Sequence, residues 1–140
     1  MEFFEATATI KATPLKVWAV LVDVANWPNW DSGVDAVEGT VALGNKLVIH
    51  ATVASGRAFP VKVSAFDAPK TLQFRGGMPL GAFTGVRTYS LTPDGDTTVL
   101  HMREEYTGAM LPMIWKSMPD LGPSFTQFVT GLTKRVEADG

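Results

Sequence analysis

After Gly108 the hydrophobic period of this chain changes and does not change back. From Val34 to Thr107 apolar residues alternate with polar ones in short runs bounded by turn residues, a strand pattern. From Met110 they recur at helical spacing: Leu111, Ile114, Trp115, Met118 and Leu121, then Phe125, Phe128, Val129, Leu132 and Val136. A meander of strands has an apolar face to cover, and this C-terminal helix is the element large enough to cover it. The expected class is therefore α+β: a curved antiparallel sheet of about six to seven strands wrapped around a long C-terminal helix. Pro119 and Pro123 interrupt the helical pattern, so a kink or two segments are expected, with Asp120 or Ser124 capping the second. A sheet curled round one helix tends to leave space between them, where ligands bind.

A chain of 140 residues predicts one domain over 1–140, large enough to need no staple. Cysteine is absent, which excludes disulfides, thiolate metal sites and a cysteine nucleophile. Two histidines, His50 and His101, cannot by themselves build a histidine-rich metal site. The net charge is −2 and the basic residues are scattered along the chain, so no nucleic-acid footprint is expected. There is no secretory signal pattern and no apolar run near the length of a membrane span, so a soluble, cytoplasmic protein is the expectation.

Ahead of the meander, Phe3 to Lys11 reads as a strand. Thr13-Pro14 then opens a helix, threonine as N-cap and proline in the first turn, with Leu15, Trp18, Leu21 and Val22 on one face. Trp27-Pro28-Asn29-Trp30 follows. Two tryptophans astride a proline predict a short bent element with its rings pressed against something apolar, either the core or the mouth of a cavity. Later strands are expected at Val34 to Thr40, Lys46 to Ser55, Ala58 to Phe66, Thr71 to Gly76, Ala82 to Thr92 and Thr97 to Thr107. Ser55-Gly56 marks a hairpin, and Pro60 predicts an edge or bulged strand. Gly76 to Gly81 reads as a flexible apolar loop that would serve as a lid or simply stand exposed.

Arg87 and Tyr89 share one face of their strand. On the last strand Leu100, Met102, Glu104 and Tyr106 oppose His101, Arg103 and Glu105. Apolar content favours the even set as inward, which puts the carboxylate of Glu104 among apolar neighbours; it then needs a partner or a raised pKa. The opposite register would instead gather His101, Arg87 and Glu105 inside. Glu104 and His101 are thus the catalytic candidates. No Walker-type loop, nucleophile elbow or H-E-x-x-H motif occurs.

The order of these segments resembles the SRPBCC superfamily, also called START-like or birch-pollen-allergen-like, with its helix-grip fold. The resemblance is carried by Ala12-Thr13-Pro14-Leu15-Lys16-Val17-Trp18, the Trp27–Trp30 element and Phe66-Asp67-Ala68-Pro69-Lys70-Thr71-Leu72. It continues through Thr88-Tyr89-Ser90-Leu91-Thr92-Pro93 and Glu104-Glu105-Tyr106-Thr107-Gly108. The nearest flavour is the polyketide cyclase/dehydrase-like branch. It implies a cavity for a hydrophobic or amphipathic small molecule (a lipid, polyketide-like or isoprenoid compound) and no particular reaction. Candidate lining residues are Trp27, Trp30, Phe74, Phe83, Arg87, Tyr89, Met102, Tyr106, Trp115 and Phe125. No cofactor and no metal are expected, and a homodimer is left open. A cyclase or dehydratase using the same cavity is the second expectation. A protein-interaction module is the third, and it would need an exposed apolar patch.

Overall fold

The computed structural model describes residues 1–52 and 57–138. Strand β1 (Glu2–Ile10) leads into helix α1 (Pro14–Val22) and a 3-10 helix (Val24–Asn29). Six strands follow: β2 (Val34–Glu38), β3 (Lys46–Ala51), β4 (Phe59–Asp67), β5 (Thr71–Met78), β6 (Phe83–Asp94) and β7 (Thr97–Thr107). Helices α2 (Leu111–Ser117) and α3 (Gly122–Ala138) close the chain. The seven strands form one antiparallel sheet in the order β1-β7-β6-β5-β4-β3-β2, curled around α3. This is the helix-grip architecture.

Every α3 position expected on the apolar stripe is buried: Phe125, Phe128, Val129, Leu132 and Val136. The helical pattern does break at the prolines, and Gly122 N donates to Asp120 Oδ1 at 2.9 Å. Asp120, not Ser124, satisfies the start of α3. On α1, Thr13 Oγ1 accepts from Lys16 N at 3.3 Å, as the N-cap reading requires. Leu15, however, stands exposed, and Val17 takes its place in the core. The buried stripe of α1 is centred on Leu21, and at 3.6 residues per turn Leu15 falls about 120° away from it.

Trp27 is core. It is fully buried, and its indole N–H donates to Leu21 O at 3.0 Å. Its ring meets Phe74 of β5, Tyr89 of β6 and Phe128 of α3 at centroid distances of 6.4, 6.3 and 4.9 Å. The 3-10 helix thus plugs one end of the space between sheet and helix. Pro28 bends the chain there, and Ser32 Oγ donates to Trp27 O at 2.6 Å, closing the bend.

Two strand expectations are corrected. β4 is not an edge strand, since it lies between β3 and β5. Pro60, the second residue of β4, pairs with Val48 of β3 and precedes the β5 pairing, which starts at Val61; the expected bulge does occur in β4, further along, between Val63 and Ala65. Nor is Gly76–Gly81 one loop. β5 runs through Gly76 and Gly77 to Met78, leaving only Pro79–Gly81 as a short 3-10 turn. A Cβ on Gly76 would lie 2.8 Å from Pro60 O, and one on Gly77 would collide with Phe83 O, so both glycines permit close strand approach. The expected end of β3 at Val53–Ser55 and the Ser55-Gly56 hairpin lie outside the described residues. Among the described residues no helix is long and apolar enough to cross a membrane.

Candidate functional site

The β6–β7 register decides which polar residues face α3. Arg87 lies opposite Glu104, Tyr89 opposite Met102 and Gly85 opposite Tyr106. The even-numbered residues of β7 point inward, as their apolar content predicts, and Thr98, Leu100, Met102 and Tyr106 are buried. The register that would bring His101 and Glu105 inside with Arg87 is not adopted. His101 lies on the outer face, its Nε2 2.7 Å from Glu5 Oε1. That hydrogen bond, with Arg103 nearby, holds the Glu5 carboxyl below its usual range.

Arg87 Nε donates to Glu104 Oε1 at 2.8 Å, so the inward carboxylate has a partner. Gly85 makes room for it: a Cβ there would stand 3.3 Å from Glu104 Oε2. The Arg87 guanidinium also sits over the Phe125 ring, 4.9 Å from its centroid. Burial alone would push the Arg87 pKa down, but the Glu104 carboxylate beside it more than offsets this and leaves it raised. Burial pushes the Tyr89 phenol up against the pull of Arg87. It pushes Tyr106 up as well, and there Glu104 adds to the effect.

Aromatic rings surround this pair. Tyr106 stacks on Phe83 at 6.0 Å and lies 5.8 Å from Trp115, while Phe4 sits 5.3 Å from Trp115 and 6.0 Å from Phe125. One step along the sheet, Trp27, Trp30, Phe74, Tyr89 and Phe128 form a second group. Of the ten expected lining residues, Trp27, Phe74 and Met102 are buried within the core, while Tyr106, Phe83, Trp115 and Phe125 gather near the Arg87–Glu104 pair. Phe4 and Phe128 belong to the same surroundings and were not singled out. Period-2 counting along β1 would have found Phe4, which lies opposite Glu104.

Three buried polar atoms in this interior, Trp30 Nε1, Tyr89 Oη and Tyr106 Oη, make no hydrogen bond within the protein, although Arg87 stands close enough to both phenols, and Glu104 to that of Tyr106, to interact with them. The Arg87 and Glu104 side chains retain 24% and 17% of their accessible surface although α3 lies across them. The nearest cover is α2, a seven-residue helix with a proline in its first turn and no extensive backbone contact with another element. It is held partly through the half-buried ring of Trp115. Two shallow grooves, of about 460 and 200 Å³, lie on the outer face of the sheet and touch none of these aromatics. Among the described residues no cluster of three or more His, Cys, Asp or Glu side chains could hold a metal ion.

The family model described as polyketide cyclase / dehydrase and lipid transport matches residues 1–137. No match was found among curated proteins. Solved structures share the fold along the whole chain. Protein MLL2253 from Mesorhizobium loti superposes with a TM-score of 0.77 at 18% identity, covering 99% of both chains. A START superfamily protein from Mycobacterium smegmatis gives 0.74 at 17% identity, again covering 99% of both. A norcoclaurine synthase point mutant from Thalictrum flavum, in complex with a transition-state analogue, gives 0.73 at 16% identity, covering 99% of this chain and 95% of that one. Identities this low speak for the fold alone.

Proposed function

The chain belongs to the polyketide cyclase / dehydrase and lipid transport family, and from that premise we propose that it binds an amphipathic small molecule between the sheet and α3. The carrying observation is the inward Arg87–Glu104 pair beside three unpartnered buried polar atoms. Each such atom costs about 1–3 kcal/mol in a core that serves packing alone. A ligand with an apolar body and a hydrogen-bonding end relieves those of them that lie beside that end. Its carbonyl, hydroxyl or carboxylate accepts from Arg87, Trp30 or the tyrosine hydroxyls, while Phe4, Phe83, Trp115 and Phe125 take the body. Access runs under α2, whose start is fastened to Gly81 and Ala82 and whose far end, with Trp115, moves on the non-helical residues before α3.

Native mass spectrometry of the purified protein, followed by denaturing extraction, tests the reading directly. A co-purifying apolar molecule supports it. A clean apo mass, with no thermal shift across fatty acids, isoprenoids and aromatic polyketides, overturns it. Trp115→Ala is expected to weaken binding of any such molecule at least tenfold while the melting temperature falls little, because the ring is half-buried on a loosely held helix. Equal loss of both properties would make Trp115 a core residue.

A cyclase or dehydratase acting in the same interior is the second reading, favoured by a carboxylate next to the site. Glu104 would then move the proton. His101, the other candidate, faces the opposite side of the sheet and would act there only through a different partner. Glu104→Gln separates the two readings: lost turnover with retained binding assigns a catalytic role.

A further inference from the structure

Twelve basic residues are scattered along a chain of net charge −2, yet folding sets three of them side by side. Lys46 on β3 is the register partner of Lys62 on β4, and Lys62 is the partner of Arg75 on β5. All three are exposed on the outer face. Neighbouring strands lie about 4.8 Å apart, so three like charges fall within roughly 10 Å. Like charges directly opposite one another destabilise a sheet. Among the described residues none of the three makes an ion pair. The row continues through Val86 to Glu105, but Arg103 holds that carboxylate at 2.9 Å. Glu38 on β2 is likewise held by His50. An arrangement that costs stability and lacks an internal counter-charge is complementary to an external anion.

An apolar tip adjoins the cations. The groove of about 460 Å³ runs from Lys62 and Arg75 past Gly76 and Gly77 to Met78 and Pro79. The next residue, Leu80, is wholly exposed and has φ of 60°, a conformation that favours glycine. A leucine held there in water is unfavourable both in its backbone and in its solvation. Met78 is also exposed. Ala109 N and Met110 N donate to Gly81 O and Ala82 O, fastening the start of α2, with its exposed Met113, beside this tip.

We infer that the Lys46–Lys62–Arg75 row and the Leu80 tip form a docking surface for a bilayer carrying anionic phospholipids. The cations meet the headgroups, and Leu80 with Met78 enters the interfacial layer. The adjoining apolar tip favours a lipid surface over an acidic polypeptide, which would need the cations alone. This surface is on the other side of the sheet from the Arg87–Glu104 pair, and its docking does not depend on the interior ligand.

Vesicle co-sedimentation of the full chain is the test, using phosphatidylcholine alone and phosphatidylcholine with about one third phosphatidylserine at about 0.1 M salt. Binding is expected to the anionic vesicles only and to weaken as salt rises. Each cation contributes about fivefold, so Lys62→Gln with Arg75→Gln lowers partitioning roughly 25-fold. Relief of like-charge repulsion leaves the melting temperature of that variant equal or higher, so weakened binding is not a folding defect. Leu80→Gly suits the backbone and is expected to weaken binding severalfold without loss of stability. The inference is overturned by equal binding to neutral vesicles, by no binding to either kind, or by variants that bind as the parent does. Binding to polyglutamate without binding to vesicles also overturns it, in favour of an acidic protein partner.

Discussion

The Arg87–Glu104 pair separates folding from function in a way a double-mutant cycle can read. The contact is a 2.8 Å charge-assisted hydrogen bond, and the two side chains keep only 24% and 17% of their surface. Truncating one partner of a fully buried pair costs about 3–5 kcal/mol, because the other charge is left without compensation. Scaled for the residual exposure, Glu104→Leu or Arg87→Met alone is expected to cost about 2–4 kcal/mol. Unfolding entropy of about 2.1 cal/mol/K per residue over 140 residues turns 3 kcal/mol into a fall of roughly 10 °C in Tm. The double variant Arg87→Met with Glu104→Leu is expected to melt near the parent temperature or above it, since an apolar pair of similar volume replaces two desolvated charges. Urea denaturation of all four proteins gives the coupling energy. Ligand binding should nevertheless fall about tenfold or more in the double variant, the worth of a charged hydrogen bond to the ligand's polar end. Single variants within about 0.5 kcal/mol of the parent would mean that the pair is solvated and unimportant to the interior. A double variant as unstable as the sum of the singles would mean zero coupling, so that Arg87 and Glu104 act independently and not as a pair.

Tyr89 and Tyr106 provide an alkaline test. Burial raises both phenols above the ordinary value near 10, so the native state holds protons that the unfolded chain releases. Stability from these groups is complete below about pH 10 and falls as pH climbs beyond it, by up to about 1.4 kcal/mol per pH unit for each tyrosine. Replacing both by Phe should abolish that slope, and at neutral pH it should raise stability by about 1–3 kcal/mol for each hydroxyl that lacks a partner. A parent protein equally stable at pH 9 and pH 11 would contradict the burial of these phenols. At Gly131, inside α3, alanine would ordinarily stabilise the helix by about 1 kcal/mol. Here its Cβ would run into Asp31 O and lie 3.2 Å from Trp30 Cε3, so a loss is expected instead. About 2 kcal/mol by urea denaturation is the scale for such overpacking, and a gain would refute the close approach.

Most of the elements were legible in the chain because each is announced within a few residues. The helical period after Met110, the strand alternation and the cap at Thr13 are local properties, and the structure repeats them. The interruption at Pro119 and Pro123 was equally plain. Legibility stopped where two distant segments had to be placed against each other. Trp27-Pro28-Asn29-Trp30 announced a bend with rings to bury, but only the arrival of Phe74, Tyr89 and Phe128 makes Trp27 core and leaves the Trp30 N–H without a partner. Gly76 and Gly77 read as loop residues because their use, close approach to Pro60 and Phe83 across the sheet, is invisible in their own neighbourhood.

The chain by itself determined the antiparallel meander, the helix that covers it and the inward set on β7, since hydrophobic period and apolar content act on each segment separately. Only the tertiary structure decided that Glu104 meets Arg87, that His101 turns outward to Glu5, and that Lys46, Lys62 and Arg75 stand in one row. Register is the physical reason. Side chains alternate with a period of two, so hairpin turns and the slip in β4 set which charges become neighbours, and that choice is made by the packed sheet as a whole.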